Sequence, residues 1–222
     1  MHICGKLYKD PEKEVMMEDK NVPNIVVGRL PLYLRTLQLM SQEGRRVTSS
    51  QELGERLGIS AAQIRKDLSQ FGEFGKQGTG YTIDFLTDQL RQILHVKKVW
   101  DVAVVGIGDV GHALARYQGF ANRGFRIVLL FDNDPHKIGT VVGGYVVQDL
   151  TSMVDQIQKV GVLVAMLSVP VDQAQLVTNL LIQAGVRSIL NYAPINISVP
   201  IGVRVQYIDP VLHLQRMTYY LE

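Results

Sequence analysis

Val99-Trp-Asp-Val-Ala-Val-Val-Gly106-Ile-Gly108-Asp-Val-Gly111, then a helical stretch and Ile127-Val-Leu-Leu-Phe-Asp132, decides the fold of this chain. The first apolar run reads as a buried strand, and the glycine pattern follows it without a gap. Gly106 permits a tight turn out of the strand. Gly108 has no Cβ, so a pyrophosphate can lie against the backbone through Ile107, Asp109 and Val110. Gly111 lets the next helix pack on the sheet with its N-terminal N–H groups aimed at phosphates. The second run ends in Asp132, about twenty residues beyond the last glycine, where a ribose hydroxyl needs an acceptor. A carboxylate there repels a 2′-phosphate, and Asn133 and Asp134 put no cation in its place. NAD and NADH are therefore expected over their phosphorylated forms. The plainer reading of Asp132 and Asp134, ahead of Pro135, is a turn, and the two readings are compatible.

Working outward toward the C-terminus, strand and helix alternate: 162–167 as strand, 171–184 as helix, 188–190 as strand. Such alternation predicts a parallel sheet covered on both faces, with ligands at the carboxyl ends of its strands. Ser168-Val169-Pro170 and Asn191-Tyr192-Ala193 follow two of those strands and join the candidate cofactor site. Asp209-Pro210 reads as cap and first residue of a last helix, rich in Leu, Met and Tyr. A terminal helix so apolar needs a partner surface.

Toward the N-terminus the pattern turns helical from Arg29. Ser49-Ser-Gln-Glu52 and Ser60-Ala-Ala-Gln63 read as capping boxes that open two short helices, and Gly58 separates them. This is a helix-turn-helix arrangement. Arg65 and Lys66 fall on the outer side of the second helix, and Ser60 and Gln63 stand at its start as further candidate DNA contacts. Gly72 to Ile83, with four glycines, Lys76 and Tyr81, suits a β-hairpin wing beside the DNA backbone. The bland alternative is a helical subdomain with a solvated basic face. A helix over 84–96 then joins the halves.

The 222 residues suffice for one or two domains, and 46% hydrophobic and 20% charged residues are ordinary for a globular protein. The net charge of +2 is small, but residues 24–80 hold eight basic and five acidic side chains against four and five in the first 23. Residues 1–23 lack periodicity and read as a flexible tail. The single cysteine, Cys4, excludes an internal disulfide, and no apolar run has the length of a membrane span. A cytoplasmic protein without membrane association is expected, with no metal site and no catalytic group.

Together the halves resemble the Rex family of redox-sensing transcriptional repressors. The resemblance rests on Arg29-Leu-Pro-Leu-Tyr-Leu-Arg35, Gln63-Ile-Arg-Lys-Asp-Leu68, Phe71-Gly72, Gly78-Thr-Gly-Tyr81, the glycine motif, Phe131-Asp132 and Asn191-Tyr-Ala-Pro194. It implies a homodimer that holds palindromic operator DNA when empty or NAD-bound and loses affinity for it with NADH. It also implies a last helix exchanged between subunits, and a switch in which Asp209 changes partner between Arg35 and Tyr117. Pro210 departs from the bulky apolar residue some members carry, and Gln77 from a base in the wing. The expected organisation is an α/β chain with a tail (1–23), a winged helix-turn-helix domain (24–83), a linker helix (84–96), a doubly wound Rossmann-like domain (97–208) and a dimerisation helix (209–222). A dehydrogenase is the first rival, though no length remains for a substrate domain. A regulator binding CoA or another nucleotide on the same fold is the second.

Overall fold

The computed structural model describes residues 22–75 and 80–221, and the chain divides into two compact units that meet between Leu94 and His95. In the first, α1 (Asn24–Gln42) places Leu30, Tyr33, Leu37 and Met40 at three- and four-residue intervals, so all four lie on one buried face. They pack with Leu53 of α2 (Ser50–Leu57) and with Ile64 and Leu68 of α3 (Ala61–Ser69). Ile83, Leu86 and Leu90 of α4 (Ile83–Ile93) complete this core. The segment expected as a connector over 84–96 is thus largely core: its apolar stripe has the helical period and α1 lies against it.

Both expected capping boxes are half formed. Ser49 Oγ accepts from Glu52 N (3.1 Å) and Ser60 Oγ from Gln63 N (3.2 Å). The return bonds are replaced, because Thr48 Oγ1 donates to Glu52 and Gln63 donates to Asp67. β1 (Val47–Thr48) pairs antiparallel with β2 (Tyr81–Thr82), the described strand after the glycines. The turn of the expected hairpin wing lies outside the described residues. Residues 76–79, including Lys76 and Gln77, and the tail up to residue 21 lie outside the described residues.

The second unit is a seven-stranded sheet. β3 (Trp100–Val105) is central; β4 (Phe125–Asp132), β5 (Val141–Val142) and β6 (Tyr145–Asp149) lie to one side. β7 (Val164–Leu167), β8 (Ser188–Asn191) and β9 (Arg204–Tyr207) lie to the other, giving the order 5-6-4-3-7-8-9. All neighbours are parallel except the edge pair β5–β6. Along β3, Val102 and Val104 face one layer while Ala103 and Val105 face the other, and all four are buried. That is why the run is continuously apolar: both faces are covered. α5 (Asp109–Arg116) contributes Ala115 to one layer. α6 (Met153–Val160) and α7 (Val171–Gln183) fill the other with Met153, Ile157, Ala174, Val177 and Leu181. The last helix, α8 (Pro210–Thr218), begins where expected, with Asp209 Oδ1 accepting from Val211 N at 2.9 Å. Val211, Leu212, Leu214, Met217 and Tyr219 to Leu221 are all more than half exposed.

Candidate functional site

Counted without the antiparallel edge strand, the sheet order is that of the doubly wound dinucleotide folds, and it reverses between β3 and β7. A cavity of about 480 Å³ opens at that reversal, at the carboxyl ends of the strands. Gly106 and Gly108 line it from the loop after β3, Val110 from α5, Asp132 from the end of β4 and Lys137 from beyond it, Ser168 to Pro170 after β7, and Tyr192 to Pro194 after β8.

The three glycines differ in what demands them. Gly106 has φ +87°, and a Cβ there would lie 2.6 Å from the Ser168 carbonyl oxygen. A Cβ on Gly111 would overlap the Gly106 carbonyl. Gly108 has an ordinary φ of −80° and nothing within 4 Å of a Cβ position. The protein's own packing therefore requires the outer two glycines and leaves the middle one open toward the cavity. α5 starts at that point without a side-chain cap, so its first N–H groups face the crevice end of the helix.

Asp132 is buried at 5% exposure and already well bonded. Its Oδ2 accepts from Ile107 N at 2.6 Å and lies 3.3 Å from Lys137 Nζ, while Oδ1 accepts from Asp134 N at 2.9 Å. Burial pushes its pKa up, but the bonds from Asp134, Ile107 and Lys137 outweigh this and hold it below the usual carboxylate range. Asn133 and Asp134 supply no cation, but one that the sequence reading did not name, Lys137, stands at the end of β4. The tight turn after Asp134 brings it back, with Lys137 N bonded to the Asp134 carbonyl (2.9 Å).

Several candidates hold the site's walls. Ser168 Oγ donates to the Gly106 carbonyl at 2.8 Å, tying the two loops at the reversal together. Asn191 is fully buried, and its amide is engaged with Ala193 and Ile195 (2.9 to 3.1 Å), which shapes the loop presenting Tyr192 and Ala193. Ile107 puts its side chain into the core beneath, and Asp109 lies exposed in the first turn of α5.

In the first unit Arg65 and Lys66 are exposed on α3, and Arg65 Nη1 donates to Ser50 Oγ at 3.0 Å. Ser60 serves as the cap, and the half-buried Gln63 donates to Asp67 Oδ1 (2.7 Å). Tyr81 is partly buried against the core, and burial raises its hydroxyl pKa. The sequence reading missed Asp67. It is fully buried and accepts from Arg29 Nε (2.6 Å), Arg29 Nη2 (2.7 Å), Tyr33 Oη (2.5 Å) and Gln63, locking α3 onto α1. Its position three residues after Ile64, on the inward face, was the available signal.

Residues 21–69 match the family model "Putative DNA-binding protein N-terminus", and residues 97–195 match "CoA binding domain". The redox-sensing transcriptional repressor Rex of Roseiflexus sp. (strain RS-1) is 54% identical over 199 residues, 90% of each chain. The Rex of Brevibacillus brevis is 40% identical over 93% of this chain and 100% of its own. The chain belongs to the Rex family. Among solved structures, the Rex-family repressor RSP bound to β-NAD⁺ and operator DNA superposes with a TM-score of 0.86 at 34% identity, covering 90% of this chain and 92% of that one. RSP bound to β-NADH gives 0.83 at 32%, covering 90% and 94%. Of the residues expected to form the Rex switch, Arg35 is exposed on α1. Tyr117 ends α5, half exposed and edge-on to Phe120 at 5.0 Å, and Asp209 caps α8.

Proposed function

We propose that this Rex chain holds operator DNA through α3 and takes NAD(H) in the crevice between β3 and β7, with NADH lowering the hold on DNA. The observation that carries the nucleotide half is Gly108: a glycine the protein does not need for itself, facing the cavity beside an uncapped helix start. On the DNA side, Arg65 and Lys66 project from a helix whose opposite face is anchored in the core. The reading is of a sensor and not a dehydrogenase. What supports this is the name of the chain's relatives at 54% and 40% identity, redox-sensing transcriptional repressor.

Fluorescence anisotropy of a palindromic operator duplex, with NAD⁺, NADH and CoA titrated in turn, tests the whole reading. Release by NADH alone supports it, and release by CoA alone would replace it. In the same assay Arg65→Ala should cost about 1–3 kcal/mol of operator binding and relax specificity at one base position if it reads a base edge. Lys66→Ala should weaken all sequences alike and flatten the salt dependence if it meets a phosphate. Unchanged DNA affinity in both variants would take α3 out of the recognition role.

The proposed switch has Asp209 meeting Arg35 of a partner subunit in the DNA-holding form and Tyr117 in the NADH form. The observed cap bond is the competing explanation for an acidic residue at this position. Asp209→Ser keeps a capping oxygen and removes the charge. Loss of NADH-driven release in the serine variant, with NADH binding retained, is expected; normal release would leave Asp209 as a cap alone.

A further inference from the structure

Three charged groups meet where the crevice passes the end of β4. Lys137 Nζ lies 3.3 Å from Asp132 Oδ2 and 3.8 Å from Asp134 Oδ2, and all three residues line the cavity that Gly106 and Gly108 line. We propose that Lys137 determines how strictly this crevice refuses a 2′-phosphorylated dinucleotide. The inference rests on the crevice being the NAD(H) site.

The two carboxylates differ from the lysine in freedom of movement. Asp132 is pinned by the Ile107 and Asp134 N–H groups, and Asp134 Oδ1 accepts from His136 N at 2.9 Å. Lys137 ends in an ammonium on a four-carbon stem, with a side chain 38% exposed. A phosphate entering beside Asp132 meets a fixed anion and a cation free to swing from carboxylate to phosphate. The formal charge of the trio is −1 with the lysine and −2 without it. A ribose hydroxyl needs only the acceptor, so it gains little from the swing. A 2′-phosphate gains a donor and loses part of the repulsion. The selectivity for the unphosphorylated nucleotide is therefore tempered by design of the turn, and is not the full repulsion that an acid alone would give.

The measurement is a fluorescence titration of the full chain with NADH and with NADPH, on wild type, Lys137→Gln, Lys137→Arg and the pair Asp132→Asn with Asp132→Asn/Lys137→Gln. Lys137→Gln should raise the NADH-over-NADPH affinity ratio by about tenfold, the screened effect of one charge at a part-exposed site. Lys137→Arg should keep or lower that ratio. Asp132→Asn should gain NADPH affinity, and the double variant should lose the gain. NADPH binding to wild type should also weaken more steeply with salt than binding to Lys137→Gln. If wild type fails to bind NADH, the crevice reading itself falls. If NADH binds and the ratio is unmoved in Lys137→Gln, the crevice reading stands and the role of Lys137 is overturned. In Lys137→Gln the Asp132 carboxylate keeps its bonds from Ile107 N and Asp134 N, so this variant still decides the matter if Asp132→Asn fails to fold.

Discussion

An Asp67→Ala chain is expected to lose on the order of 3–5 kcal/mol from the first unit, because it strands a guanidinium that was paired inside the protein. Asp67 is fully buried and Arg29 keeps 19% of its side chain exposed, so water can replace the lost carboxylate only in part. Tyr33 and Gln63 lose their acceptor in the same step. Urea unfolding followed by circular dichroism reads the effect, and a cost below about 1 kcal/mol would mean the pair is incidental. Replacing both partners with apolar residues, Arg29→Met with Asp67→Leu, should restore much of the loss. Burial pushes the Asp67 pKa up, but the hydrogen bonds from Arg29, Tyr33 and Gln63 hold it below the usual carboxylate range. A depressed folded pKa gives stability that is present above the unfolded value of about 3.9 and lost as pH falls through the folded one. The wild-type unit should therefore weaken below about pH 4, and the doubly apolar variant should show a shallower acid limb.

Gly106→Ala and Gly108→Ala should fail in opposite ways. At position 106 an alanine must take a left-handed φ, costing roughly 1–2 kcal/mol, and must also displace the Ser168 backbone. That variant should unfold earlier and bind no nucleotide. At position 108 the backbone is ordinary and the space is open, so Tm should stay near wild type. The methyl group would occupy the surface on which a pyrophosphate lies, and NADH affinity should fall by about tenfold or more, at least ~1.4 kcal/mol. Thermal melts paired with NADH titrations separate the two. A Gly108→Ala chain that binds NADH normally would place the phosphates elsewhere.

The β3–loop–α5–β4 segment was legible because its constraints are local: apolar runs of strand length, glycines at fixed offsets, and an acid at the second strand's end. The hairpin formed by β5 and β6 carried a readable sign that went unused. Gly143 and Gly144 both have positive φ, as a two-residue turn between Val-Val and Tyr-Val-Val requires. β9 was hidden by its four residues, since Arg-Val-Gln-Tyr is too brief for an alternation to stand out. At the site, the expected crevice residues converge, but sequence spacing says nothing about whether a polar group is already satisfied. Asn191 and Gln63 look available in the sequence and are engaged in the structure. Asp67 finds Arg29 across 38 residues, beyond the reach of any local pattern. Lys137 drew no notice in the sequence, because only the turn after Asp134 brings its ammonium onto Asp132.

The bond from Ser168 to the Gly106 carbonyl, with the Asn191 and Asp132 bonds beside it, leaves the walls of the crevice with little left to order. A receptor of that kind cannot signal occupancy by converting a floppy loop into a rigid one, as many switch proteins do. Apart from mobile side chains such as Lys137, it spends little ordering entropy on its ligand. A change of arrangement between stiff bodies is then the expected difference between the loaded and the empty state, and by linkage a substitution that shifts that balance should move the apparent affinity for NADH as well. Redox threshold and strength of response should therefore shift together under substitutions that act on that balance.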